Sequence, residues 1–487
     1  MINDASLSLY NSTLPVVMRR NRRKHIWGQR YFRVRTTREV RTKDAEKERN
    51  QVSTHGALQF RCVEWLRLEH CVHGIARVLP QSSYSQLTTV EFVGQTRVDN
   101  VNAILENCFR LSKTIFNSIL FPGKPENMKK NFGRQKVTER ASTVSAKPKS
   151  ILNVTTLVLG GANKLTADES LLLLYLTDNY KFGNLSNLVL SKWQTGMEEV
   201  TSSATATNMP SIESSSSLTL FLLENQDNLK SLEITRAGIR LFPDEFKPST
   251  PLVQLERFSF NMATAGFQKI LNQQKRLVVL ECFNERRLSP AAFASVFVAI
   301  DRCRHTIRDI KLAHRYDLLS AESISTNVPT LLQHDCNLYK ACHYLRSLNL
   351  NLTDGFSHDD GTDNGKRVEL VGTNGFPASI QSLIIRFDFI CETEMDTFAS
   401  RIVNLKRLKF LIFHGNPKYP YKLKLEWVTK LLQLPQIEMF EFHFCQPLDS
   451  VAAENLFTAN PQLSKHLKMT AGSCTYWRGP SHKYKPA

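Results

Sequence analysis

Residues 63–71 read Val63-Glu64-Trp65-Leu66-Arg67-Leu68-Glu69-His70-Cys71. Aliphatic side chains stand at the first, fourth and sixth places, and a cysteine closes the phrase. Leu66 and Leu68 lie two apart, so in an extended chain both point to one side of a short strand, and Arg67 points to the other. Val63 reaches the apolar side from the incoming turn, and Cys71 sits under the turn that leaves. One such unit cannot bury its own apolar face. Stacked on copies of itself, it can.

The phrase returns as LSNLVLSKW from Leu185, LKSLEITRA from Leu229, LRSLNLNLT from Leu345 and IEMFEFHFC from Ile437. In order along the chain, copies begin at Val63, Leu87, Val154, Leu185, Leu229, Leu255, Leu277, Ile307, Leu345, Ile380, Leu408 and Ile437, with a weaker one at Leu111. Their steps run from 22 residues (Leu255 to Leu277) to 44 (Leu185 to Leu229). A loose apolar pattern matches anywhere by chance, but not repeatedly and in order over most of a chain.

Between the phrases the apolar period changes to that of a helix. Ser289-Pro290 before AAFASVFVAIDRC reads as an N-cap with proline at the first helical position. Asp168 and Glu169 open a segment carrying Leu171, Leu172, Leu174 and Tyr175, Thr393 precedes EMDTFASRIVNL, and a serine run ending at Ser217 precedes LTLFLLEN. Strand, turn, helix, turn, repeated, predicts an α/β solenoid with parallel strands on one face and helices on the other. The phrase is similar to the leucine-rich repeat, which implies a horseshoe with a concave parallel sheet and convex helices.

The net charge of +18 is unevenly placed. Residues 1–50 hold thirteen Lys/Arg against five Asp/Glu, residues 121–150 eight against two, and residues 465–487 five against none; the rest of the chain is neutral to within one charge. The organisation expected is therefore a basic, disordered segment over 1–50 and a repeat body over 51–463. That body carries a basic insert at 121–150 and a Ser/Thr-rich insert at 196–217, and a basic tail covers 464–487. The run MRRNRRK is suited to nuclear import or to a polyanion. No apolar run has membrane-spanning length, and LPVV is followed at once by MRRNRRK rather than by a signal-peptide core. The ten cysteines are scattered, which points to a reducing compartment, cytoplasmic or nuclear.

In each phrase the residue between the second and third aliphatics points away from the core. These residues form the candidate partner-binding face: Arg67, Glu91, Val158, Val189, Glu233, Ser259, Glu281, Lys311, Asn349, Ile384, Ile412 and Glu441. Acidic members outnumber basic ones, the reverse of what a phosphate groove needs, and a mixed polar and aliphatic strip suits a protein partner. Catalytic, cofactor-binding and metal-ligating sets are not read. Gly123-Lys124 lacks the glycine and hydroxyl residue of a phosphate loop. Gly160-Gly161 reads as the repeat's turn, and His334, Cys336, Cys342 and His343 have an unusual gap for zinc and sit in a helical pattern. Trp27, Tyr31 and Phe32 among arginines offer rings for base stacking.

The phrases VEWLRLEHC and LKFLIFHGN, with long irregular repeats, resemble the repeat region of F-box/LRR proteins over roughly residues 60–463. The resemblance implies a non-enzymatic scaffold whose repeats capture a substrate protein, as in the substrate-receptor part of an SCF ubiquitin ligase. Leu14-Pro15 echoes the opening of an F-box, but VVMRRNRRK follows in place of an amphipathic helical pattern, so ligase components are partners only if an F-box is supplied upstream. The alternative is a nuclear repeat protein that binds RNA or chromatin through its basic tails.

Overall fold

In a computed structural model, the strands of the repeat series within each unit hydrogen-bond in parallel in the order in which they follow one another in the sequence. The residues described are 16–20, 31–36, 64–69, 86–121, 149–161, 165–192, 213–236, 255–261, 265–283, 290–316, 339, 341–354, 376–387, 396, 399–400, 402–415, 421–443, 445–446, 451, 455, 458–459, 467–471 and 474–477. The chain divides into two units, Met1–Gln254 and Leu255–Ala487. Both are mixed α/β, built on parallel strands in sequence order, an arrangement compatible with a solenoid.

The first unit contains β1 (Val16–Arg20), β2 (Tyr31–Thr36), β3 (Trp65–Glu69), β4 (Thr89–Gln95), β5 (Lys113–Leu120), β6 (Ser150–Leu152), β7 (Thr156–Gly161), β8 (Tyr180–Phe182), β9 (Asn187–Lys192) and β10 (Ser231–Ile234). Its helices are α1 (Val98–Asn107), α2 (Ala167–Asn179) and α3 (Glu213–Asn225). Parallel ladders join β2, β3, β4, β5, β7, β9 and β10 in turn. A separate two-stranded parallel ladder joins β6 to β8. β1 pairs antiparallel with β2 inside the basic segment 1–50. The charged composition hides it, yet alternation in Tyr31–Thr36 suffices for a strand once the edge of β3 is there to receive it.

The second unit contains β11 (Arg257–Asn261), β12 (Val279–Phe283), β13 (Asp309–Tyr316), β14 (Ser347–Asp354), β15 (Ser382–Phe387), β16 (Phe410–His414), β17 (Tyr421–Lys422), β18 (Met439–His443), β19 (Cys445–Gln446), β20 (Leu467–Ala471) and β21 (Cys474–Trp477). Its helices are α4 (Ala265–Leu271), α5 (Pro290–Arg302) and α6 (Leu425–Leu432). β11 to β16, β18 and β20 are joined in parallel, and β21 returns antiparallel on β20, inside the segment predicted as a tail.

The repeat phrase explains the core. The two strand aliphatics are buried in each described copy, from Leu66 and Leu68 through Leu232 and Ile234 in the first unit, and from Phe258 and Phe260 to Phe440 and Phe442 in the second. The phrase's first aliphatic is buried at Leu87, Leu111, Val154, Leu185, Leu229, Leu255, Leu277, Ile307, Leu345, Ile380 and Leu408; Ile437 is half-buried, and Val63 lies outside the described residues. Aromatic substitutes stack within the layer, as at Phe92 and Phe116 (5.1 Å) and at Phe258 and Phe260 (4.5 Å).

Of the expected helix starts, those of α5 and α2 stand and that of α3 shifts, while the one after Thr393 lies outside the described residues. α5 begins at Pro290, as the Ser-Pro pair predicts. α2 is closed by a capping box: Thr166 Oγ1 accepts from Glu169 N (3.2 Å), and Glu169 Oε2 accepts from Thr166 N (2.8 Å). α3 begins at Glu213, so the serines placed ahead of the helix form its first turns.

Glu169 has a second task. Its carboxylate takes both guanidinium arms of Arg236, each at 3.0 Å, and both side chains are buried. Arg236 also donates to Leu159 O (2.7 Å) and Ser191 O (3.0 Å), tying the ends of β7 and β9 to α2. A Cβ on Gly161 would lie 2.7 Å from Glu169 Oε1 and 3.1 Å from an Arg236 nitrogen. The Gly160-Gly161 pair therefore belongs to the end of β7, where the second glycine leaves room for an ion pair; the predicted turn role is corrected.

Candidate functional site

Alternation fixes what each strand offers on the face away from the core. In the first unit the predicted residues stand side by side in register: Arg67 opposite Glu91, then Ile115, Val158, Val189 and Glu233. In the second unit the series runs Ser259, Glu281, Lys311, Asn349, Ile384, Ile412 and Glu441. Each unit thus carries one file of outward residues, spaced by the interstrand distance of about 4.8 Å. Ile115 comes from the weak copy at Leu111 and fills the gap between Glu91 and Val158. By register, Arg33 precedes Arg67, and Lys468 follows Glu441.

Most of these residues are half-buried, but Glu91 (3% exposed) and Ser259 (1% exposed) are buried. Glu91 accepts from Asn117 Nδ2 at 2.5 Å and from Arg67 Nη1 at 3.4 Å, while Arg67 Nε bonds Glu69 at 2.8 Å. That end of the first file is self-neutralised, and it passes into an aliphatic stretch, Ile115, Val158 and Val189. Ser259 Oγ is buried with no hydrogen-bond partner among the described residues.

The second unit's file contains a shallow pocket of about 270 Å³ lined by Arg257, Val279, Glu281, Asp309, Ile310, Lys311, Ser347, Asn349 and Ile384. Arg257 pairs with Glu281 at 2.9 Å, and the Lys311 ammonium lies 4.7 Å from the centre of the Phe283 ring. Burial raises the Asp309 carboxyl above its ordinary value, partly offset by the guanidinium groups of Arg346, Arg257 and Arg308. Arg257, Asp309 and Ser347 were missed by the sequence reading. They stand two residues before the file and point to the same side, so the alternation that identified Glu281 also identifies them.

Farther along, Ile384 and Ile412 give the file an aliphatic stretch beside partly exposed Phe410. His414 and His443 stack at 4.3 Å, with His443 Nε2 3.0 Å from Glu441. The pocket therefore presents opposite charges and amide and hydroxyl groups beside an apolar strip.

The zinc stretch divides. Cys342 is buried, its thiol pushed up to about 12 by burial, whereas His343 is exposed; His334 and Cys336 lie outside the described residues. No cluster suited to a metal ion occurs among the described residues. The described cysteines 108, 282, 303, 342 and 445 are buried and form no disulfide with one another. Among the rings considered for base stacking, Tyr31 and Phe32 lie in β2, and Trp27 is outside the described residues. No described helix is long and apolar enough to cross a membrane.

No protein-family model matches the chain, and no curated protein matches it.

Proposed function

We propose that the protein is a non-catalytic interaction scaffold of the leucine-rich-repeat class, similar in role to the substrate-receptor part of an SCF ubiquitin ligase. It holds a polypeptide partner along the outward file of its strands. The observation that carries this reading is the file in the second unit, where a polar pocket passes through Asn349 into the aliphatic pair Ile384 and Ile412, each one strand further on. A polypeptide strand supplies both complements: backbone amides and charged ends for the pocket, apolar side chains for the strip. Ligase components would join through an F-box supplied upstream.

Photo-crosslinking tests this. A photoreactive residue at Lys311 or at Ile384 should capture one and the same protein in cells, and exposed Val298 on α5 should not. Ile384→Asp with Ile412→Asp should abolish capture from position 311. Equal capture from position 298, or capture that survives the double substitution, would overturn the reading.

A further inference from the structure

The turn that leads into each strand differs between the two units in a way the fold does not demand. Three residues before the outward file, one residue per repeat offers its carbonyl to two backbone N–H groups of the next repeat. In the first unit this place is held by Glu64 and Lys230 at its ends and by hydroxyl residues between them, which close a second ladder: Ser112 Oγ donates to Thr88 O (3.1 Å), Thr155 Oγ1 to Ser112 O (3.0 Å) and Ser186 Oγ to Thr155 O (3.3 Å). In the second unit the same backbone ladder runs through Glu256, Val278, Arg308, Arg346, Gln381 and Lys409, with two arginines at its centre. Arg346 N donates to Arg308 O (2.7 Å), and Gln381 N to Arg346 O (2.8 Å). The carbonyls are satisfied by the backbone, so neither guanidinium is needed there for folding.

Arg308 and Arg346 are nevertheless exposed on adjacent rungs, about 4.8 Å apart along the ladder. Arg276, Lys406 and Arg407 are exposed on turns of the same edge. None of the five side chains makes a hydrogen bond or ion pair among the described residues. Asp301 pairs with Arg304 (3.3 Å) and Glu438 with Lys409 (3.1 Å), while half-buried Asp309 lies within the field of both Arg308 and Arg346 without forming an ion pair with either. Amid these cations Tyr344 is 59% exposed, two residues before Arg346 on one turn.

We infer that this edge of the second unit binds single-stranded nucleic acid. Guanidinium groups on neighbouring rungs take phosphate oxygens through paired donors, and an unpaired base stacks on the Tyr344 ring. An acidic polypeptide would use the charges but not the ring, and a duplex hides the base faces that the ring needs. This inference stands apart from the outward-file reading, since it uses the edge and not the file.

The test is fluorescence anisotropy of the full chain with a labelled 20-nucleotide uridine oligomer between 50 and 200 mM salt. The basic termini are present in every variant, so differences report on the edge. Arg308→Ala/Arg346→Ala/Arg407→Ala should weaken binding at least tenfold at 50 mM salt and lower the salt slope by about 2, at roughly 0.7 per lost phosphate contact. Tyr344→Ala should weaken binding roughly 5- to 150-fold with the slope unchanged. These exposed substitutions should leave the circular dichroism spectrum intact. Wild-type affinity in the triple variant would overturn the inference. So would a duplex that binds as tightly as the single strand, or polyglutamate that competes as well as the oligomer.

Discussion

Consider Arg236→Met. The guanidinium is buried at the ends of β7 and β9 and makes four bonds: two to Glu169, one to Leu159 O and one to Ser191 O. Methionine fills most of the volume but leaves the Glu169 carboxylate buried without its counter-charge. Breaking a buried pair from one side costs about 3–5 kcal/mol, and two abandoned carbonyls push the value toward the upper end. In a unit of this size each kcal/mol lowers the melting temperature by about 2–4 °C, so the first unit should melt roughly 6–20 °C earlier. The double variant with Glu169→Gln separates charge from packing. Glutamine still accepts from Thr166 N at the head of α2 and carries no charge, so the pair should show a coupling of at least about 2 kcal/mol. Urea titration of the single and double variants, followed by circular dichroism, measures it. A single variant that loses less than about 1 kcal/mol, or strictly additive losses, would refute the reasoning. Gly161→Ala should also destabilise, because the new methyl would press on the same carboxylate.

Leu348→Asp places an unpaired carboxylate in the core and should cost several kcal/mol in the second unit, whereas Asn349→Asp, on the outward side, should stay within about 0.5 kcal/mol; equal losses in thermal melts would contradict the facing assigned to β14. Asp309 has a raised folded-state pKa, so the folded unit holds its proton to higher pH than the unfolded chain, and stability falls as pH rises from the ordinary 3.8 through the folded value. Asp309→Asn should therefore stabilise the second unit at pH 7 and change little below about pH 3.8; destabilisation at pH 7 would show the carboxylate to be held favourably. Burial pushes the thiols of Cys108 and Cys282 up to about 12. Iodoacetamide at pH 8 should label them at least a thousandfold more slowly in the native protein than in urea, and rapid native labelling would place them outside the core.

The outward file was legible because two constraints meet in each phrase: a pair of aliphatics two apart sets the strand, and alternation then assigns the residue between them. That logic carries from Arg67 to Glu441 without knowledge of loop lengths. It does not tell which file members are covered, and Glu91 and Ser259 are. The Arg236–Glu169 pair was illegible because its members are far apart in sequence and no period links them, although Thr166 and Glu169 spell a capping box that marks the start of α2. The strands β1 and β2 were missed because their segment is rich in cations and composition outweighed a short alternation, and β20 and β21 because their strands are short and no repeat phrase marks them. The arginine edge was invisible for a related reason. Within the repeat body positive and negative charges cancel, and a net count does not show which turn each charge occupies.

Pairing of each strand with its sequence predecessor also bears on how the chain is made. A ribosome delivering about 5–20 residues per second supplies the roughly 30 residues of one repeat in about 1.5–6 seconds. Each new strand then finds its docking edge already formed, so either unit can build vectorially during synthesis. The cost is that the growing unit always ends in an unpaired edge of backbone donors and acceptors. That exposure lasts longest after β5 and β9, where long stretches separate one strand of the main ladder from the next. Ribosome pausing or chaperone binding at those two points would protect the nascent protein where it is most open to joining a second chain.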